Sequence, residues 1–271
     1  MAVVENLEPR PTAWDLKFSL LRVPIRVSIW YWLVSLLFAY RSSPNDFRIV
    51  LIIMACMFVS ILVHEFGHIF CQKHYGDRNN HIVFWMLGGL AIPSIAAPGM
   101  AARIWISLWG PFAGFILGAI VYAIGGVLYG WDFPLSAAPF GSNFFLFVAI
   151  DNLFWFNVAW GLMNLMPILP LDGGNIMRAL ADRKRKPQSW GWQFSGYVGL
   201  VIFGISMALA FFVPGVPYIG DLYVGIFFLI LGIIGFVNAW QIRRMEQFGG
   251  GAEATFERRE AWEQDPDWWK K

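Results

Sequence analysis

Charge is scarce in this sequence. Of its 271 residues only 14% are Asp, Glu, Lys or Arg, against 58% hydrophobic, which is too little polar surface to coat one soluble domain. Such a chain belongs in a bilayer. Cysteine is nearly absent: Cys56 and Cys71 fall about four helical turns apart on one expected helix, too far along its axis for a disulfide, so they say nothing about redox compartment. The residues up to about Ser28 lack the charged start and early apolar core of a cleavable signal peptide. They carry Pro9, Pro11, acidic residues and scattered Arg, and are expected to be retained. Internal repeats are missing as well.

What the sequence has is apolar runs. Six are long enough to cross about 30 Å of hydrocarbon at about 1.5 Å per residue, at 25–40, 49–71, 104–129, 144–166, 194–213 and 222–240. They predict an all-α polytopic membrane protein of about six transmembrane helices. The first run is the shortest between its flanking Arg26 and Arg41, and would need bilayer thinning, tilt or an interfacial placement.

Lys and Arg alternate across these runs. Arg10, Lys17, Arg22 and Arg26 precede the first; Lys73, Arg78 and Arg103 follow the second; Arg178, Arg183, Lys184, Arg185 and Lys186 follow the fourth; Arg243, Arg244, Arg258, Arg259, Lys270 and Lys271 follow the sixth. The loop after the first run carries only Arg41 and Arg48, and the loops 131–143 and 214–221 have none. The excess of positive charge predicts that both termini and the two basic loops are cytoplasmic. The expected division is an N-terminal segment 1–27 on the cytoplasmic side or at the interface, a transmembrane domain 28–241 with its catalytic core about 49–180, and a flexible tail 242–271. Trp262, Trp268 and Trp269 would let that tail touch the membrane surface.

Between the second and third runs, His81 to Met100 is apolar but interrupted by Gly88, Gly89, Pro93, Pro98 and Gly99. A re-entrant or interfacial hairpin fits it better than a helix. Irregular backbone at membrane depth persists where protein or a wet cavity satisfies its polar groups.

The second run contains His64-Glu65-Phe66-Gly67-His68. On a helix two imidazoles at i and i+4 share a face about one turn apart, a spacing that suits two ligands of one Zn²⁺, and Glu65 can reach water held there. In a soluble chain such a pentapeptide arises cheaply by chance. In a spanning helix each charged group costs on the order of 2.5 kcal/mol or more, so three ionisable residues need a function.

A metal that acts on water needs a third protein ligand and an open position. Three residues compete. His74 stands where a longer motif would place a third His, but Cys71 replaces the Gly that makes the turn, and a continuing helix carries His74 off the His64/His68 face. Cys71 itself reads more readily as a small buried hydrophobe. Asp172 follows Pro167 and Pro170, which end the fourth run, and precedes Gly173 and Gly174, so it lies on a shaped loop. It could instead cap the following helix. With six spans the second and fourth helices run in the same direction, which brings all three residues near the cytoplasmic side and favours Asp172.

These residues resemble the site-2 protease family of intramembrane zinc metalloproteases. The resemblance rests on His64 to Gly76, on Leu87-Gly88-Gly89-Leu90-Ala91, on Gly110-Pro111-Phe112-Ala113-Gly114, and on Asn164 to Gly174, which matches an NxxPxxxLDGG signature. It implies a single Zn²⁺ held by His64, His68 and Asp172, Glu65 as general base and acid, and Asn164 near the scissile carbonyl. It also implies partners: membrane lipid and a transmembrane protein substrate, with nothing pointing to nucleic acid. Some members carry a PDZ domain between the two signatures or a CBS domain at the C-terminus; this sequence has room for neither, and a minimal form is expected. Gly114 stands where some relatives have a polar residue. Such a chain would suit a prokaryotic inner membrane.

Asn157 and Asp151 could line a wet path to the metal, although hydrogen bonding between helices is the plainer role. A substrate helix must unwind before attack, and the hairpin around Gly88 to Pro98 could offer an edge for strand addition; bulky residues at Gly88 and Gly89 would test that. The rival readings are a metal-binding membrane transporter, which does not need Glu65, and an inactive protease-like scaffold, which does not need every reactive residue type.

Overall fold

The computed structural model describes residues 11–134, 144–212 and 222–247. The expected features at Pro9, Arg10, most of the two uncharged loops, and the tail beyond Gln247, with its basic residues and tryptophans, lie outside these residues.

The chain enters through two short strands, β1 (Leu16–Leu20) and β2 (Val23–Val27). The connecting pair Leu21-Arg22 has φ of 51° and 60°, the left-handed backbone of a two-residue hairpin turn whose twist matches that of the flanking strands. Leu16 pairs with Val27 and Leu20 with Val23. Arg26 of β2 is fully buried and meets Asp15 at 2.9 Å, both side chains shut off from solvent. Burial works against ionising Asp15, but hydrogen bonds from the Thr12 hydroxyl and N–H, and from Arg26, outweigh it and lower its pKa below the ordinary carboxylate value.

The Ser28 hydroxyl accepts from the N–H of Trp30 and caps α1 (Ile29–Ser42). At 14 residues this helix is about 21 Å long, well short of a hydrocarbon core of about 30 Å. The structure here departs from the expected first span at 25–40: Ile25 to Val27 belong to a strand, and the helix starts only after Ser28. Asp46 then caps α2 (Phe47–His74), accepting from the N–H of Arg48 at 2.9 Å.

After α2 come β3 (His81–Trp85) and β4 (Gly88–Ile92). β3 pairs parallel to β2, Ile25 with Ile82, and β4 pairs antiparallel to β3, His81 with Ile92. The sheet order is β1-β2-β3-β4, which leaves β4 at an edge. Alternating side chains of β2 and β3 (Val23, Ile25, Val27, Ile82, Phe84) pack with Tyr31 of α1 and with Ile61, Phe66 and Ile69 of α2. The helix that carries His64 and His68 is thereby seated on a sheet. In the sequence, residues 16–24 read as the approach to a first span and 25–27 as its start; β1 and β2 were not expected.

The remaining helices are α3 (Met100–Tyr129), α4 (Phe144–Asn164), α5 (Asp172–Arg183), α6 (Gln188–Phe212) and α7 (Leu222–Gln247). Among the described residues five helices have the length and composition to cross a membrane: α2, α3, α4, and the segments Gln188–Leu209 and Gly225–Arg244.

The chain forms two compact units, one within Met1–Pro98 and Leu108–Met163, the other within Gly99–Ser107 and Asn164–Arg258. The first holds the sheet, α1, α2, most of α3 and nearly all of α4. In the second, α6 and α7 pack along each other through glycines: a Cβ on Gly199 would stand 2.9 Å from the Gly232 backbone, and one on Gly235 would stand 2.7 Å from Gly196 N. Such backbone approach is how helices associate tightly in lipid, where no hydrophobic force drives them together. Also in that unit, Arg103 donates to Asp182 at 2.6 Å and Arg178 pairs with the same carboxylate, fixing the end of α5 to the start of α3.

Candidate metal centre

The helix α2 continues unbroken through His74. His64 and His68 are buried at 2% and 7% exposure, and their Nε2 atoms converge to 3.2 Å. Two nitrogens on one tetrahedral Zn²⁺, each about 2.05 Å from it, stand roughly 3.3 Å apart, so the pair is already spaced for one ion. His74 is exposed and its ring stacks edge-on against Tyr75, off the His64/His68 face. Cys71 is a buried free thiol.

Backbone from neighbouring elements closes on this helix face. A Cβ on Gly110 of α3 would overlap the His68 imidazole, and one on Gly67 would overlap the Trp109 carbonyl, so both helices approach here without side chains between them. On the other side, a Cβ on Gly89 of β4 would stand 2.5 Å from Glu65 Cγ and 2.7 Å from its Oε1. Glu65 is itself only 4% exposed, and strand β4 lies directly along it. Gly88, at φ 126°, puts its backbone against the Trp160 ring, and Trp160 meets the His64 ring edge-on with centroids 6.5 Å apart. Trp160 and Gly110 in this role are absent from the sequence reading. One available signal for Trp160 was its place one helical turn before Asn164.

Asn157, buried in α4, donates to the Ser60 hydroxyl of α2 at 2.9 Å and to the Leu153 carbonyl. That is the plainer of the two roles considered for it, an interhelical tie. Gly114 faces it at ordinary contact distance, 3.6 Å from Asn157 Oδ1 to a Cβ built there.

In the second unit Asn164 ends α4 and is buried. The loop after it folds back on itself: Ile168 N donates to Met166 O at 2.7 Å, Leu171 N to Ile168 O at 2.8 Å, and Leu169 N to the buried Ser195 hydroxyl at 2.9 Å. Cβ atoms on Gly173 or Gly174 would collide with the Leu165 and Ile168 backbone, which explains in steric terms why two glycines follow the acid. Leu171 occupies the cap position without a side-chain bond, and Asp172 is the first helical residue of α5. Asp172 is therefore not the cap. Its carboxylate is buried at 8% exposure, at a helix end that favours negative charge. His64, His68 and Asp172 are thus three buried residues of types that hold divalent metals.

Five membrane-length helices and this donor chemistry define an integral membrane protein with a candidate metal centre. The sequence pattern of peptidase family M50 matches residues 52–150 and 142–206, more than half of the chain, and the chain belongs to that family. A zinc metalloprotease of Methanocaldococcus jannaschii is 27% identical over 167 residues, 62% of this chain and 45% of that protein. Rip3 of Mycobacterium tuberculosis, named as a candidate zinc metalloprotease, is 27% identical over 165 residues, 59% of this chain and 39% of its own length. The chain thus spans less than half of these curated relatives. A solved site-2 protease from Methanocaldococcus jannaschii shares the fold, with a TM-score of 0.56 at 21% identity over 84% of this chain and 94% of that one.

Proposed function

We propose that this protein is an intramembrane zinc metalloprotease that hydrolyses peptide bonds of transmembrane substrate segments near the cytoplasmic side of the bilayer. The observation that carries the reading is the convergence of two buried imidazoles on α2 beside a buried carboxylate, Glu65, with strand backbone lying against it. Membership of family M50 supports it.

His64 and His68, through Nε2, and the Asp172 carboxylate would hold one Zn²⁺, and a bound Zn²⁺ supplies Lewis acidity that polarises a carbonyl and acidifies water. Glu65 takes the proton of the attacking water and returns it to the leaving amine. The Asn164 amide donates to the substrate carbonyl oxygen as negative charge builds there, an interaction of roughly 3 kcal/mol for a well-placed donor. Ser195 holds the loop that leads to Asp172 through Leu169 N. The β4 edge, with Gly89 on Glu65, receives an unwound substrate as an added strand. Segment 28–241 is the transmembrane domain; with the short α1 crossing a locally thinned bilayer as a sixth span beside the five longer helices, both termini are cytoplasmic by charge. A prokaryotic cell membrane is its setting, in keeping with the prokaryotic sources of its relatives.

The test is cleavage of a transmembrane test substrate in liposomes, with a zinc-flux assay on the same preparations. A protease cleaves as wild type and stops as Glu65→Gln. A transporter moves zinc in both forms and cuts nothing, and a scaffold does neither.

A further inference from the structure

The residues just past α2 form a buried polar cluster outside the chemistry described above. Asp77 is 3% exposed, and its carboxylate accepts from Ser94 N at 2.7 Å, from the Ser94 hydroxyl at 2.5 Å, and more weakly from the N–H groups of Ile95 and Asn79 at 3.4 and 3.3 Å. Its own N–H donates to the Gln72 carbonyl. Asn80, 1% exposed, donates to Gln72 Oε1 at 3.1 Å and to the Ile69 carbonyl at 3.4 Å. Gln72, 4% exposed, donates to the Ala91 carbonyl at 3.4 Å.

These bonds either lie within the stretch from Ile69 near the end of α2 to Asn80, or cross to the far end of β4 and the residues just after it. Gln72 lies one helical turn beyond His68, and Gly76, at φ 95°, turns the chain out of the helix towards Asp77. A bond from a buried carboxylate to a backbone N–H is charge-assisted and short, and several on one carboxylate fix a strand end more firmly than apolar contact does. The strand so fixed is the one whose Gly89 touches Glu65 and whose outer edge is unpaired within the sheet.

We infer that Asp77 is a positioning residue: through Ser94 it clamps the exit of β4 to the end of α2 and thereby sets the spacing between the β4 edge and Glu65. The Gln72 amide, bonded to the Ala91 carbonyl, closes the edge at that end, so an added substrate strand registers on Gly88 to Leu90, beside Glu65. The consequence for substrate rests on the proteolytic reading; the clamp itself does not.

The experiment uses the full chain in detergent, as wild type, Asp77→Ala, Asp77→Asn, Ser94→Ala and Ser94→Thr. Amide hydrogen exchange of residues 88–95, zinc content, and KM and kcat on a transmembrane test substrate are measured on each. Asp77→Ala should raise exchange over 88–95 at least tenfold with zinc content unchanged, and raise KM about tenfold with kcat within about twofold. Asp77→Asn and Ser94→Ala should fall between, and Ser94→Thr, which keeps the hydroxyl, should match wild type. Exchange that stays at the wild-type level overturns the clamp. So does exchange that rises across the whole of α2 with loss of zinc, since that is general unfolding. Looser strand exchange with an unchanged KM overturns the spacing role alone, and a wild type that loads zinc yet cuts nothing overturns the proteolytic reading while the exchange data still decide the clamp.

Discussion

Gly89 and Glu65 touch: a Cβ on the glycine would stand 2.5 Å from Cγ of the glutamate. The contact joins the strand that would present a substrate to the carboxylate that would move its protons. It also changes what a substitution at Gly89 means. A bulky residue there displaces Glu65 itself and does not report on strand addition alone.

Gly89→Ala should therefore behave as a Glu65 variant, lowering kcat at least about a hundredfold while zinc content remains. The measurement is kcat with metal analysis on the same sample. Normal turnover would show that Glu65 needs no such packing.

Gly110→Ala acts on His68, one turn along the same helix. Its Cβ would enter the space of the His68 ring, which must turn away. Zinc affinity should fall about 10- to 100-fold, the range seen when groups that orient a ligand are disturbed. Competition with a metal chelator of known affinity measures it.

Asp15 gives a pH dependence. Its pKa is lower in the folded protein than the ordinary value of about 3.9. The unfolded state thus binds the proton more readily, so the stability from this group is full above about pH 4 and disappears as pH falls through the lowered folded value. Asp15→Asn should remove that loss and cost stability at neutral pH, on the order of 3 kcal/mol because it takes the carboxylate charge away from a buried ion pair. Thermal unfolding in detergent from pH 3 to 7 checks both signs.

The Asn157–Ser60 hydrogen bond should contribute about 0.6 kcal/mol in a double-mutant cycle, the usual size for such bonds between membrane helices. Unfolding of Asn157→Ala, Ser60→Ala and the double variant measures it. Additive effects would mean that the bond does not couple α4 to α2.

Local chemistry was legible in the sequence. His64 and His68 announce themselves because helical spacing alone puts them on one face, and the two glycines after Asp172 announce a tightly folded loop. What depends on distant backbone was not. Nothing near Glu65 in sequence says that Gly89 lies on it, and nothing near His68 points to Gly110. Strand β2 was hidden because Ile25 to Val27 merges with the apolar run of α1 when hydropathy is read without the Ser28 cap. The alternation of Val23, Ile25 and Val27 was the signal available. The same merging started the first run at residue 25, where the structure begins a 14-residue helix only after Ser28.

The most direct test of the proposed centre is zinc content and cleavage measured together on wild type, Glu65→Gln and Asp172→Asn. One zinc with cleavage in wild type, one zinc without cleavage in Glu65→Gln, and loss of zinc in Asp172→Asn is the expected result. Full zinc and full cleavage in Asp172→Asn would contradict it, and would send the search for the third ligand elsewhere.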